Sequence, residues 1–240
     1  MARPIVKVTG LTKVFNSDGS RVYALSNVNL DVGRGDFVAI MGPSGSGKTT
    51  LLTLLGCLDR PTKGRILLGH NGLDVSAMAE ALLYRIRRKH VGFIFQSFNL
   101  IPSLTALENV QLPMEGLIRS GKRRRKRARV LLNMVDVLHR ENHRPFQMSA
   151  GEQQRVAIAR ALANGPAVIL ADEPTGNLDS ETGAKIIELL RRLSSQQRRT
   201  IIMVTHDPLM ASFATRSLFL RDGRLYDRDP TQPQTPTSPA

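Results

Sequence analysis

Tryptophan is absent from this chain, cysteine occurs once, and aromatic residues make up only 5% of it. A single cysteine, Cys57, excludes an intrachain disulfide and any cysteine-rich metal site. Its place among leucines suggests a buried thiol rather than a nucleophile. No apolar stretch approaches the ~20 residues that a membrane-crossing helix needs. Residues 1–8 move directly into a strand pattern and lack the apolar core of a signal peptide. Acidic residues are few beside basic ones, 20 against 34, for a net charge of +14. That excess is uneven. Arg119, Lys122, Arg123, Arg124, Arg125, Lys126, Arg127 and Arg129 supply eight charges within eleven residues, and without them the balance is +6. The block reads either as a solvated helix start or as a surface for anionic lipid, where each basic residue gains about 1 kcal/mol. Nucleic acid is disfavoured as a partner, because no aromatics for base stacking are interleaved with the charge.

What is present begins with Gly42, Pro43, Ser44, Gly45, Ser46, Gly47, Lys48 and Thr49, which fit G-x-x-x-x-G-K-[ST] throughout. The apolar run 37–41 ahead of the motif reads as a buried strand. Leu51, Leu52, Leu54 and Leu55 after it read as a helix packed on a sheet. Strand, glycine loop and helix together let backbone N–H groups and a helix N-terminus face phosphates. Lys48 would reach the β- and γ-phosphates, the Thr49 hydroxyl would ligate Mg²⁺, and Thr50 joins the expected nucleotide contacts. A nucleoside triphosphate is the expected ligand, and the lack of an N-K-x-D guanine-reading motif favours ATP. A second apolar strand, 168–171, ends in Asp172 and Glu173. Open α/β sheets bind ligands at the carboxyl ends of their strands. There Asp172 can hold Mg²⁺ through water and Glu173 can polarise an attacking water; a plain strand-end cap is the alternative.

Between these motifs stands Met148-Ser149-Ala150-Gly151-Glu152-Gln153-Gln154-Arg155, followed by the apolar, alanine-rich run 156–162. The segment resembles the signature sequence of ATP-binding cassette (ABC) ATPases, usually written LSGGQ. The resemblance implies that Ser149, Gly151 and Glu152 open a helix whose N-terminus meets the γ-phosphate held by a second ATPase chain. The other family positions follow in order. Tyr23 takes the place of the aromatic that stacks on adenine, Gln96 follows the strand 91–95 as the Q-loop glutamine, Asn177-Leu178-Asp179 forms the D-loop, and His206 follows the strand 200–205 as the γ-phosphate histidine. The implied catalytic set is therefore Glu173, His206, Lys48 and Gln96. The implied Mg²⁺ set is Thr49, Gln96 and Asp172. Two departures stand out: Met148 for leucine, which conserves volume, and Ala150 for the first glycine of the pair. With helical dihedrals at that position the alanine is harmless; were close backbone approach to nucleotide required, it would weaken ATP-driven dimerisation.

The resemblance covers residues 5–226 and implies an α/β fold: a RecA-like parallel-sheet core, an N-terminal antiparallel β subdomain and an inserted α-helical subdomain. Residues 1–227 are expected to form one ABC ATPase domain, with its core at about 1–96 and 164–227 and the helical subdomain at about 97–163. Within the latter, Val130, Leu131, Met134, Val135 and Leu138 repeat at helical spacing. A helix is expected around 186–193, and a hairpin turning at Asp222-Gly223. The Pro/Thr/Ser/Gln tail, 228–240, cannot pack a core and is expected to be disordered. A finer resemblance, carried by Phe95-Gln96-Ser97-Phe98-Asn99-Leu100-Ile101-Pro102, residues 104–110 and Ala171–Asp179, is to the ATPases of lipoprotein-releasing and macrolide-exporting systems. It implies a nucleotide-dependent homodimer seated peripherally on the cytoplasmic face of the inner membrane. It also implies a separate integral membrane permease, which would export or extract lipoprotein, lipid, peptide or drug. Phe98, Leu100, Ile101 and Leu104 are the expected docking segment. A regulatory ATPase of the cell-division type, signalling through a permease without moving cargo, is the alternative.

Overall fold

Alternation of apolar and polar residues builds the first sheet. The computed structural model describes residues 3–17 and 20–231. Within them β1 (Val6–Ser17) pairs antiparallel with β2 (Ser20–Val32), and the later strands β4 (Lys63–Leu68) and β5 (Leu73–Asp74) extend the sheet to the order β2-β1-β4-β5. On β2, Val28, Leu30 and Val32 are buried while Asn29 and Asp31 face solvent, as the period of two requires. A bulge interrupts the ribbon: Lys13 pairs with Leu25 and Val14 with Tyr23, leaving Ala24 as the extra residue. Leu11, Lys13 and Phe15 consequently share one face with Leu25, while Val14 and Tyr23 share the other.

The second sheet has six strands in the order β10-β9-β3-β8-β7-β6. Its centre consists of β3 (Phe37–Met41), β8 (Thr200–Val204) and β7 (Val168–Asp172), all parallel, with β6 (Val91–Ile94) and β9 (Arg216–Arg221) flanking them. β10 (Arg224–Tyr226) closes an antiparallel hairpin on β9. The central strands are apolar almost throughout because both faces are covered. Val38, Ile40, Val168, Leu170, Ile202 and Val204 face one core, shared with α1 (Lys48–Leu55) and the first sheet. Phe37, Ala39, Ile169, Ala171, Ile201 and Met203 face the other, under α3 (Ala106–Gln111), α4 (Gly121–Met134), α5 (Ala150–Ala161) and α6 (Ser180–Gln197).

Several elements depart from the sequence expectation. Glu80–His90 forms a helix, α2, outside the expected elements: Leu83 is buried, Ile86 packs against the same core, and the last turn is Arg87-Arg88-Lys89-His90. Val130 does not join the buried face of α4. Leu131 and Leu132 do, and Val130 is 55% exposed. Phe95 lies just past the end of β6. A short α7 (Pro208–Ala211) follows β8. The Asp222-Gly223 hairpin forms as expected, and of the tail, residues 232–240 lie outside the described residues.

Candidate active site

The carboxyl ends of β3, β8 and β7 lie side by side, and each delivers one part of the site. From β3 comes the glycine loop. Gly42 sits at φ +153°, where a Cβ would collide with the Leu220 carbonyl, and Gly47 at φ +103°, where one would collide with the Ala24 carbonyl. Any side chain at either position would push the loop off the strands that shape it. Gly47 also caps α1 without a side-chain hydrogen bond, so the first-turn N–H groups have no side-chain acceptor. The hairpin tip braces the loop from below: the Gly223 N–H donates to the Ser46 carbonyl at 3.1 Å, and the Gly223 carbonyl accepts from the Ser26 N–H at 2.8 Å.

Two polar groups of this loop point to an anion. Lys48 is buried, and its ammonium donates to the Gly42 and Pro43 carbonyls at 2.7 and 2.8 Å. Burial lowers its pKa, against the opposing pull of Glu173 and Asp172. The buried Ser46 hydroxyl has no hydrogen-bond partner among the described residues. Pro43, Ser44, Gly45 and Thr49 are exposed around them, with Thr50 half-buried behind.

From β7 come Asp172 and Glu173. Burial raises the Asp172 carboxyl, the neighbouring Glu173 charge raises it further, and Lys48 partly opposes both. Glu173 adopts φ +42°, unusual for a residue with a Cβ, held by its N–H on the Val204 carbonyl at 3.0 Å and by its own carbonyl accepting from Gly176. From β8 comes His206, exposed, with Nδ1 3.1 Å from Glu173 Oε1. Asp172 and the Thr49 hydroxyl offer the hard oxygen donors that Mg²⁺ takes alongside phosphates, with the Gln96 amide oxygen as a third. Gln96 lies beyond β6, its carbonyl accepting from Asn177 Nδ2 at 3.1 Å and its amide packed where a Cβ on Gly176 would sit. Asp179 caps α6, accepting from the Thr182 N–H at 2.9 Å.

The signature segment opens α5. Ser149 is its N-cap, and Glu152 answers from the third position: each side chain accepts from the other's backbone N–H. Partial burial would raise the Glu152 carboxyl, but the hydrogen bonds from the Ser149 N–H and the Arg140 guanidinium outweigh it and bring it down to about 2. Ala150 is the first helical residue and has no positive φ. Gly151 is the close approach, since a Cβ there would lie 2.7 Å from Thr182 Cγ2. Three residues on, fully buried Gln154 donates to the Pro174 carbonyl at 2.6 Å, tying the signature helix to the Asp172-Glu173 turn. Sequence reasoning passed over Gln154; a polar residue inside the apolar face of a helix was the available signal. Among the described residues no hydrogen bond or ion pair joins Ser149, Gly151 or Glu152 to residues 42–49.

Tyr23 is placed apart from these groups. It shares the ribbon face of Val14, and the groove it lines with Thr12, Arg21, Asn27 and Lys63 contains no residue of the glycine loop. The opposite face, whose Leu11 and Leu25 belong to the same core as Leu51 and Leu55 of α1, carries Phe15. Phe15 is 43% exposed and has the Lys13 ammonium 5.0 Å from its ring centre. Lys13 itself reaches Asp59 at 2.7 Å, just beyond α1. An exposed aromatic on an otherwise core-facing side was the signal for Phe15.

Residues 25–176 match the family model described as ABC transporter. An uncharacterized ABC transporter ATP-binding protein of Methanocaldococcus jannaschii, MJ0796, is 50% identical over 225 residues, covering 92% of this chain and 95% of that protein. The macrolide export ATP-binding/permease protein MacB of Brucella melitensis is 49% identical over 222 residues; they span 92% of this chain but 34% of MacB. Among solved structures, the dimeric post-hydrolysis state of MJ0796 bound to ADP and Pi superposes with a TM-score of 0.84 at 48% identity, covering 93% of this chain and 99% of that one.

Proposed function

The chain belongs to the ABC transporter ATPase family, and on that premise we propose that it hydrolyses ATP to energise a membrane permease carried on a separate polypeptide. The observation that carries the chemistry is the Glu173–His206 pair at 3.1 Å, set between Asp172 and the glycine loop at the ends of adjoining strands. Hydrolysis is in-line attack by water on the γ-phosphoryl group. Glu173 accepts hydrogen bonding from that water and turns it toward phosphorus. His206, held by the same carboxylate, faces the γ-phosphate. Lys48 and the first-turn N–H groups of α1 take the developing negative charge. Mg²⁺, when held by Thr49, Asp172 and Gln96, would supply further charge neutralisation. Glu173→Gln is expected to bind MgATP normally and to lose about 10²- to 10⁴-fold in turnover. Near-normal turnover in that variant, measured by phosphate release, would sink the assignment.

Adenine has two candidate stacking partners, and the core-side placement supports Phe15 over Tyr23. The signature residues Ser149 and Gly151 are proposed to close the site of a second copy, a reading supported by the dimeric assembly of MJ0796. The MacB relatives combine ATPase and permease in one protein, of which this chain spans about a third. No helix among the described residues is long and apolar enough to cross a membrane. The spanning segments are proposed to belong to a permease partner, with this chain seated peripherally on the membrane. Cargo of the macrolide, lipid or lipoprotein class is the proposed end use. Ile101 at 38% exposure and Phe146 at 75% are the apolar side chains proposed to receive the permease. Leu100, by contrast, packs against the core, and Phe98 and Leu104 are half-buried. The basic stripe of α4, which lines a groove with Lys122, Arg125, Lys126 and Arg129, is proposed to rest on anionic lipid.

A further inference from the structure

At the end of the sheet away from the glycine loop, positive side chains converge with nothing to neutralise them. A cavity of about 330 Å³ opens there, at the amino ends of β7 and β8. Its charged lining is Arg34, His70, Lys89, His90, Arg198 and Arg199, and no carboxylate contributes to it. These side chains come from four separate places: the turn before β3, the turn after β4, the last turn of α2, and the segment joining α6 to β8. Among the described residues none of the four permanent cations has an ion-pair partner.

Helix ends account for only part of this. Lys89, His90 and Arg198 sit at the carboxyl ends of α2 and α6, where the helix dipole favours positive charge. Arg34 ends no helix. Arg199 is the more telling group: its Nε is buried and has no acceptor among the described residues. Burial, with Arg127 and Arg34 nearby, disfavours its charged form. Burial, Lys89 and His70 likewise depress His90. Like charges gathered around a concavity to which no carboxylate contributes are arranged for an incoming anion, which would relieve the repulsion. Asn164 and Thr200 on the same wall are already engaged, the Asn164 amide donating to the Arg88 and Pro113 carbonyls and the Thr200 hydroxyl accepting from the Gly35 N–H, so the cations remain the available ligands.

We propose that this cavity is a second anion site, built to take a small multiply charged phosphate group. It is separate from the nucleotide site, since β7 and β8 each place about 13 Å of strand between the two. Arg199 and Arg34 are its principal ligands. The phosphate group can belong to a soluble ester or diphosphate, or to a lipid headgroup.

Pyrophosphate titrated calorimetrically into the full chain, with the glycine loop saturated by MgADP, is the direct test. ADP binding is measured first, so a failure of the nucleotide reading is seen separately. One saturable pyrophosphate site is expected to remain. The paired substitution Arg34→Gln with Arg199→Gln should weaken it at least about tenfold, while Arg199→Lys, which keeps the charge, should lose less. Lys122→Gln with Arg125→Gln on α4 serves as a charge-matched control that should leave pyrophosphate binding unchanged. In parallel, phosphatidylglycerol vesicles are compared with phosphatidylcholine vesicles. Vesicle binding lost in the Arg34/Arg199 variant identifies a headgroup, and binding of pyrophosphate alone identifies a soluble ligand. Absence of both, or affinity unchanged by the paired substitution in a variant that retains ATPase activity, overturns the proposal.

Discussion

Phe15 and Tyr23 belong to the same two-stranded ribbon, yet the pleat sends them to opposite sides. Tyr23 pairs with Val14 across the ribbon and Phe15 with Val22, and only the Phe15 side continues into the core over α1. On the proposed reading, a base held beside the glycine loop would stack on Phe15 and not on Tyr23. Stacking on an aromatic contributes about 1–3 kcal/mol per base. Phe15→Ala is expected to raise the Kd for ATP about 5- to 100-fold, and Tyr23→Ala to leave it within about twofold; fluorescent-nucleotide titration of both variants reads the difference. Equal effects would show that the face argument fails. Tyr23 stood out in the sequence because tyrosine beside an alternating strand is conspicuous. The bulge at Ala24 that settles the faces is a register detail that no local pattern displays.

Glu152 makes a residue-scale claim about pH. Its carboxyl titrates near 2 in the folded chain against an ordinary value of 4.5, because the Ser149 N–H and Arg140 bind the charged form. A depressed folded value means that the stabilisation is fully present above the unfolded value and is lost as pH falls through the folded one. Glu152→Gln, which keeps the shape and removes the charge, should melt below the parent protein by a constant margin above about pH 4.5. That margin should close as pH approaches 2. The side chain is only modestly buried, so the margin should also shrink at high salt. A pH-independent difference in thermal melts would assign the effect to packing instead of charge. The serine cap and its answering glutamate were legible in the sequence as S-x-x-E. The Arg140 contact, twelve residues away, was not.

Among the elements, α5 joins the nucleotide-facing turns to the segment proposed to meet the permease. Near its start Gln154 holds the turn after Glu173, and near its end Arg160 donates to the Phe98 carbonyl at 2.7 Å and to the Asn99 carbonyl. Phe98 and Asn99 both have positive φ, at 60° and 50°, a conformation that costs energy without such a clamp. Removing the guanidinium leaves the part-buried Phe98 carbonyl without its donor and the two positive-φ residues without their clamp. Arg160→Met is expected to lower stability by about 1–3 kcal/mol. It should also expose residues 97–104 to proteolysis and hydrogen exchange before the rest of the chain. Arg160→Lys should recover part of the protection, since an ammonium cannot reproduce the two-pronged contact. Protection of 97–104 unchanged in Arg160→Met would show that another contact holds the segment. The elements themselves were readable where periodicity was strong, as in the apolar central strands and in α6. α2 was harder to read, because its core-facing stripe is short, Leu83 and Ile86, and its last turn is basic.

At the scale of the whole molecule, the signature helix and its Ser149 cap make no hydrogen bond or ion pair, among the described residues, with the glycine loop of their own chain. Ser149 and Ala150 are exposed at the start of α5, with the Ser149 hydroxyl and N–H engaged by Glu152. Ala150 takes ordinary helical geometry, so the departure from the double glycine leaves that helix end intact. The close approach is at Gly151, where a Cβ would press on the Thr182 methyl of α6. A helix N-terminus with a hydroxyl cap is suited to an anion, and a second copy can supply one in the γ-phosphate held by its own Lys48. Under the shared-site proposal, each site needs Lys48 from one chain and Ser149 from the other. A Ser149→Arg chain and a Lys48→Ala chain should each be inactive alone. In the mixed dimer both defects fall in one site, leaving the other intact. Mixing should therefore restore up to about a quarter of wild-type turnover, half the dimers being mixed with one working site each, if association is random and a single site can fire. Restored activity should require ATP-dependent association and fall with dilution, as phosphate-release assays across a concentration series would record. Full activity in either variant alone, or a parent protein whose specific activity is unchanged at concentrations where only monomer is present, would place the whole site within one chain.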